Sequence, residues 1–182
     1  MQEDDYQLSK EELRDTKTSR EDFKKLPKYQ VVCILDNLSN AYNIGVIIRL
    51  CEAFRIEKLY VCGDAPDLSN WKLKNTAVGS QKWLDIEYIK DTNEVIKSLQ
   101  KQDYIISAVE LTKNAQVYND TKNIKKIAYV FGNENFGISY DVINCCNNSV
   151  YIPMYGMGNS LNVSTTASII IANAILELKK TN

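Results

Sequence analysis

The chain of 182 residues contains no histidine. That absence excludes a Ser-His-Asp triad, a Cys-His nucleophile and an HExxH metal helix together. No GxxxxGK[ST] stretch occurs, which excludes a P-loop nucleotide hydrolase. No apolar run approaches the ~20 residues of a membrane-spanning helix, so no membrane association is expected. The opening MQEDDYQLSKEEL is acidic and polar, unlike a signal or transit peptide. Five cysteines (Cys33, Cys51, Cys62, Cys145 and Cys146) are odd in number and lack metal-ligand spacing. They read as reduced thiols of a cytoplasmic protein that holds no metal. No excess charge of one sign is present either: 22 basic residues face 23 acidic ones. A near-neutral total does not advertise nucleic-acid binding, though a local basic patch can act within it.

What remains is an ordinary globular composition, 45% apolar and 25% charged, long enough for one domain with its own core. Residues 1–28 form a charged, polar N-terminal arm. In it, Ser9 and Glu12 make a capping box, and Leu13 and Phe23 are the side chains available to pack on a body that spans 29–182. From residue 29, apolar runs at 30–36, 58–63, 85–89, 104–110, 126–132 and 149–154 read as strands. Helical patterns at 42–54, 92–102, 139–146 and 160–180 alternate with them. The runs are too uniformly apolar for a sheet with one wet face. The expected fold class is therefore α/β, a parallel sheet covered by helices on both faces. Ligands of such sheets bind beyond the carboxyl ends of the strands.

Three stretches at those ends carry chemistry. In SNAYNIGVIIRLCEAF, Asn43 lies near a helix start, Gly45 allows close backbone approach, and Arg49 stands among Ile47, Ile48 and Leu50. Burial there would demand an anionic partner, structural or functional. In YVFGNENFGIS, Gly132 and Gly137 bracket Glu134, which they aim into the crevice, and Ser139 caps the next helix. In YIPMYGMGNSLNVS, Pro153 ends a strand, and Gly156 and Gly158 leave bare backbone. Met154 and Met157 offer soft walls suited to a flat ring, and Ser160 and Asn162 open the final helix, with Ser160 a candidate cap.

Together these stretches resemble the SpoU/TrmH family of RNA ribose 2′-O-methyltransferases, within the SPOUT superfamily. The pattern N-x-G-x-x-x-R is met by Asn43, Gly45 and Arg49. G-x-E-x-x-G is met by Gly132, Glu134 and Gly137, and I-P-M-x-G-x-x-x-S-L-N-V-S by Ile152 through Ser164. The resemblance covers roughly residues 29–178. It implies a C-terminal trefoil knot, which connection rules alone would never choose. It also implies S-adenosylmethionine held by Val109, Gly132, Ile152, Met154 and Leu161, and a homodimer. The apolar last helix would then face its own sheet on one side and the second subunit on another.

The implied reaction is methylation of a ribose 2′-hydroxyl in RNA, tRNA being favoured over rRNA because no separate RNA-gripping domain is present. Arg49 would orient that hydroxyl at the partner subunit's cofactor, since a guanidinium is a poor base at neutral pH. Glu134 is the second candidate base, or else holds Arg49 or Asn43 in place. Asn43 would support Arg49, and Ser160 and Asn162 would position the ribose. RNA would also meet Lys72, Lys74 and Lys82, and Lys10, Arg14, Arg20, Lys24, Lys25 and Lys28 of the arm. The alternative is a non-catalytic dimeric relative that binds RNA or cofactor.

Overall fold

The computed structural model describes residues 6–119 and 125–181. Residues 1–5, the acidic start of the chain, and Asn182 lie outside the described residues. Seven strands form one sheet: β1 (Tyr29–Asp36), β2 (Ile56–Cys62), β3 (Ile86–Ile89), β4 (Ile105–Val109), β5 (Gln116–Val117), β6 (Ile127–Phe131) and β7 (Asn148–Tyr151). Their order is β3-β2-β1-β6-β4-β7-β5, and every neighbouring pair is parallel.

The pleat of β1 shows why both faces are dry. Val31, Cys33 and Leu35 point into one core, with α3 (Ala41–Ala53), α4 (Trp71–Ala77) and α7 (Val163–Thr181). Val32 and Ile34 point into the other, with α5 (Thr92–Gln100) and α6 (Tyr140–Cys145). Helix α3 docks on α4 through Gly45, where an added Cβ would lie 2.7 Å from Thr76 Cβ and 2.8 Å from the Leu73 carbonyl. All five cysteines are free. Burial raises the Cys51 thiol well above its ordinary value and pushes Cys62 and Cys146 up to about 12, so these three remain protonated at neutral pH.

Several expectations need correction. The final helix begins at Val163, not at residue 160. Asn162 Oδ1 accepts from the Ser164 N–H at 2.9 Å, and the Asn162 carbonyl accepts from Thr166 N at 2.9 Å. Asn162 therefore takes the capping contact assigned to Ser160, which stays exposed before the helix. The last strand stops at Tyr151, two residues before Pro153. The arm is two short helices, α1 (Lys10–Asp15) and α2 (Arg20–Lys25), each capped by a serine. Leu13 does not pack on the body; it is 47% exposed. Phe23 does pack there, edge-on to Trp83 with ring centroids 5.9 Å apart. Helix α4 and strand β5 fall where no element was expected.

Strand β7 is inserted between β4 and β5, although it comes after both in sequence. Residues 110–115 join β4 to β5 across it. Glu110 N donates to the Val150 carbonyl and Tyr118 N to the Tyr151 carbonyl, both at 3.0 Å. The carboxyl ends of β4, β6 and β7 thus lie side by side, with three loops gathered over them.

Candidate active site

Those three loops line an open cleft of about 790 Å³. Its walls include Val109 at the end of β4, Gly132 after β6, and Ile152, Met154 and Leu161 after β7. Glu134, Ser160 and Asn162 line it as well. Arg49 and Asn43 do not. A volume of this size suits a small-molecule ligand, and apolar walls with a few polar groups are the usual lining. Among the described residues on its wall there is no Lys or Arg, and two carboxylates, Glu110 and Glu134. Such a lining disfavours polyphosphates and suits a neutral or cationic ligand.

Glu134 does not reach into the open cleft as a free acid. Its Oε2 accepts from the Ser39 N–H and the Ser39 hydroxyl, both at 3.1 Å. Its Oε1 accepts from the Asn40 N–H at 3.1 Å and from Asn43 Nδ2 at 3.0 Å. Partial burial pushes this carboxyl up. The donated hydrogen bonds, from the Asn43 side chain and from the backbones including those of Ser39 and Asn40, outweigh burial and hold it below its ordinary value. A carboxylate kept ionised by four donors is a poor proton acceptor.

From Glu134 a string of hydrogen bonds continues. Asn162 Nδ2 donates to Asn43 Oδ1 at 3.1 Å, and Asn162 Oδ1 accepts from the Ser164 N–H at 2.9 Å and the Ser164 hydroxyl at 2.6 Å. One residue from each of the three sequence motifs is therefore tied to the next. The string lies where β1 and β6 are neighbours and their following connections diverge, the place at which parallel sheets open a crevice.

Gly132 and Gly137 play another part than leaving space for a ligand. A Cβ on Gly132 would sit 2.4 Å from the Gly137 carbonyl carbon and from Ile138 N. The two glycines close the loop on itself, with Asn133 and Gly137 exchanging backbone hydrogen bonds at 2.9 and 3.1 Å. Residues 133–137 are thereby fixed as a rigid turn. Asn133, which sequence reasoning passed over, pins that turn to the β1 end, its Nδ2 donating to the Asn37 carbonyl at 2.7 Å. Ser39 and Ser164 were missed as well. Ser164 stands at the end of the third motif, so its place in the pattern was the available signal; Ser39 had none.

Arg49 is exposed rather than embedded. It follows Asn43 by six residues, which puts it about 120° away around the helix. It follows Gly45 by four, which puts it on the α4 side. On the same stripe Glu52 accepts from the Ser80 hydroxyl at 3.2 Å. Among the described residues Arg49 has no ion-pair partner. Within one chain it faces away from the cleft.

A parallel α/β sheet whose strand ends hold an open cleft lined by no cation among the described residues is the frame of a small-molecule-dependent enzyme. More narrowly, residues 30–172 match the family model described as the SpoU rRNA Methylase family, and the chain belongs to that family. It is 29% identical over 158 residues to a tRNA (guanosine(18)-2′-O)-methyltransferase of Aquifex aeolicus, covering 87% of this chain and 74% of that protein. The crystal structure of the A. aeolicus TrmH/SpoU tRNA modifying enzyme superposes with a TM-score of 0.77 at 27% identity, covering 87% of this chain and 81% of that one. The SpoU methyltransferase AviRb of Streptomyces viridochromogenes, solved in complex with AdoMet, has the same fold (TM-score 0.76, 24% identity, 86% of this chain and 60% of that one).

Proposed function

We propose that this protein methylates a ribose 2′-hydroxyl of RNA, tRNA before rRNA, with S-adenosylmethionine as donor. The observation that carries the reading is the convergence of three motif segments on one cleft, joined by the Glu134–Asn43–Asn162–Ser164 string. Val109, Gly132, Ile152, Met154 and Leu161 would hold the cofactor. They fit it: these five residues give an apolar part of the wall, the volume is sufficient, and among the described lining residues no cation opposes its positive charge. When bound, the cofactor supplies an electrophilic methyl group. The crossing of β7 by the 110–115 connection is, in this proposal, part of a trefoil knot that keeps the cleft rigid.

The chain's own residues divide the remaining work. Glu134 is a positioning residue rather than a base, because its oxygens are engaged by Ser39, Asn40 and Asn43. Asn43 and Asn162 transmit that fixed geometry to the loop before α7, where exposed Ser160 is free to meet the ribose. Arg49 would orient the hydroxyl and stabilise its developing negative charge in the cleft of a second subunit, since it is turned from its own. Tyr155 and Met157, 96% and 100% exposed near the cleft mouth, and Leu176 on the outer side of α7, 58% exposed, support such a dimer face. RNA contact is assigned to the segment from 68 to 84, which contains three lysines, two tryptophans and no acid. Lys82 and Trp83 there share a cavity of about 390 Å³ with Arg20 of the arm.

The test is transfer of labelled methyl from S-adenosylmethionine to bulk tRNA and, separately, to rRNA, each from cells lacking this protein, followed by nuclease digestion. Label on a ribose of tRNA, lost in Arg49→Ala, is expected. Cofactor binding without transfer to either RNA would instead support the non-catalytic reading.

A further inference from the structure

The cleft wall carries two carboxylates, and hydrogen bonding leaves them in different states. Glu134 is committed to four donors. Glu110, directly after β4, receives one backbone N–H on each oxygen: Leu111 N to Oε1 at 3.0 Å and Ile138 N to Oε2 at 3.3 Å, a long contact. A carboxylate has about four acceptor sites, so capacity remains on both oxygens. No salt bridge neutralises Glu110 among the described residues, and no Lys or Arg shares the wall with it. Its place is fixed from both sides. The two backbone bonds hold the carboxylate, and Gly137, at φ +66°, makes room for it, since a Cβ there would fall 2.5 Å from Oε2.

Building on the cofactor assigned above, we infer that Glu110 is a specificity residue that makes the cleft prefer the sulfonium cofactor to the thioether left after methyl transfer. The two ligands have nearly the same shape. The cofactor carries a sulfonium, an ammonium and a carboxylate, one net positive charge in all; the product has lost the sulfonium charge and is neutral. A wall that holds negative charge and no positive charge acts on that difference and on little else. The cleft is open to water, so the preference is modest, roughly three- to tenfold. Its use is to weaken product inhibition, because the attraction disappears with the methyl group.

The competing explanation is that Glu110 only braces the turn at Gly137 and Ile138. Calorimetric titration of S-adenosylmethionine, S-adenosylhomocysteine and sinefungin separates the two. Sinefungin carries an ammonium-bearing carbon in place of the sulfonium and cannot transfer a methyl group. For Glu110→Gln, which keeps the shape and an acceptor oxygen, cofactor and sinefungin should each bind about three- to tenfold more weakly. The homocysteine product should change by less than about twofold, which also reports an intact cleft. The effect should shrink as salt is raised. Equal weakening of all three ligands in Glu110→Gln and Glu110→Ala would overturn the inference in favour of a loop brace. Failure of the wild-type protein to bind any of the three would overturn the cofactor assignment itself, and this inference with it.

Discussion

Glu134 is one residue on which three segments depend. It satisfies two backbone N–H groups of the β1–α3 connection, and through Asn43 it orients Asn162 at the head of α7. Its carboxyl is held below its ordinary value, so its stabilising contribution is complete above the unfolded-state value of about 4.5 and is lost as pH falls through the folded value. Glu134→Gln should therefore show a flatter acid limb in a plot of urea midpoint against pH between about 5 and 3. At neutral pH the same variant should lose roughly 1–2 kcal/mol, because the amide offers one acceptor oxygen where the carboxylate offered two. An acid limb as steep as in the wild type would show that the carboxylate is not used in this way. At this scale the sequence named Glu134, Asn43 and Asn162 together without showing that they touch. They are 91 and 119 residues apart in the pairs they form, and no local pattern encodes such a distance.

Among the elements, the glycine-closed turn after β6 and the glycine-containing loop after β7 are expected to respond very unequally to the same change. Gly132→Ala drives a methyl group into the Gly137–Ile138 backbone, and backbone cannot rotate away as a side chain can. A loss of about 3 kcal/mol is expected in chemical denaturation. Gly156 has nothing within 4 Å of its added Cβ, so Gly156→Ala should cost under about 0.5 kcal/mol. Similar losses for both would mean that the 132–137 turn relaxes freely. The elements themselves were legible where an apolar run is long enough to stand out: β1, β2, β3, β4 and β6 fell within about two residues of their expected bounds, β3 although none of its residues is buried. Helix α4 was not. Only Leu73 and Ala77 are buried in its seven residues, and Asn70 caps it by accepting from Lys72 and Leu73 N–H groups. A helix that short, with one buried stripe two residues deep, leaves almost no periodic trace. Strand β5 is two residues long and exists because β7 lies beside it.

For the whole molecule, the separation of Arg49 from the cleft makes a prediction about assembly. If each site takes Arg49 from a neighbouring subunit, Arg49→Ala and Asn162→Ala are each inactive alone but complement each other when mixed after dissociation and reassociation. Random pairing gives half mixed dimers with one intact site each, so about a quarter of wild-type methyl transfer is expected. No recovery, with mixed dimers demonstrated by mass, would place Arg49 and the cleft within one chain.

The sequence by itself determined the parallel α/β class, because strands without a wet face require helices on both sides. It also determined the three motifs, because each is a local string whose residue types are constrained together. Tertiary structure alone decided that Asn162 reaches Asn43, and that Arg49 is exposed. It also decided that Gly132 is glycine for the sake of Gly137, and that Glu110 and Glu134 share one wall without a cation. The shared wall follows from β4 and β6 lying side by side in the sheet, and the exposure of Arg49 from how α3 docks on α4 through Gly45.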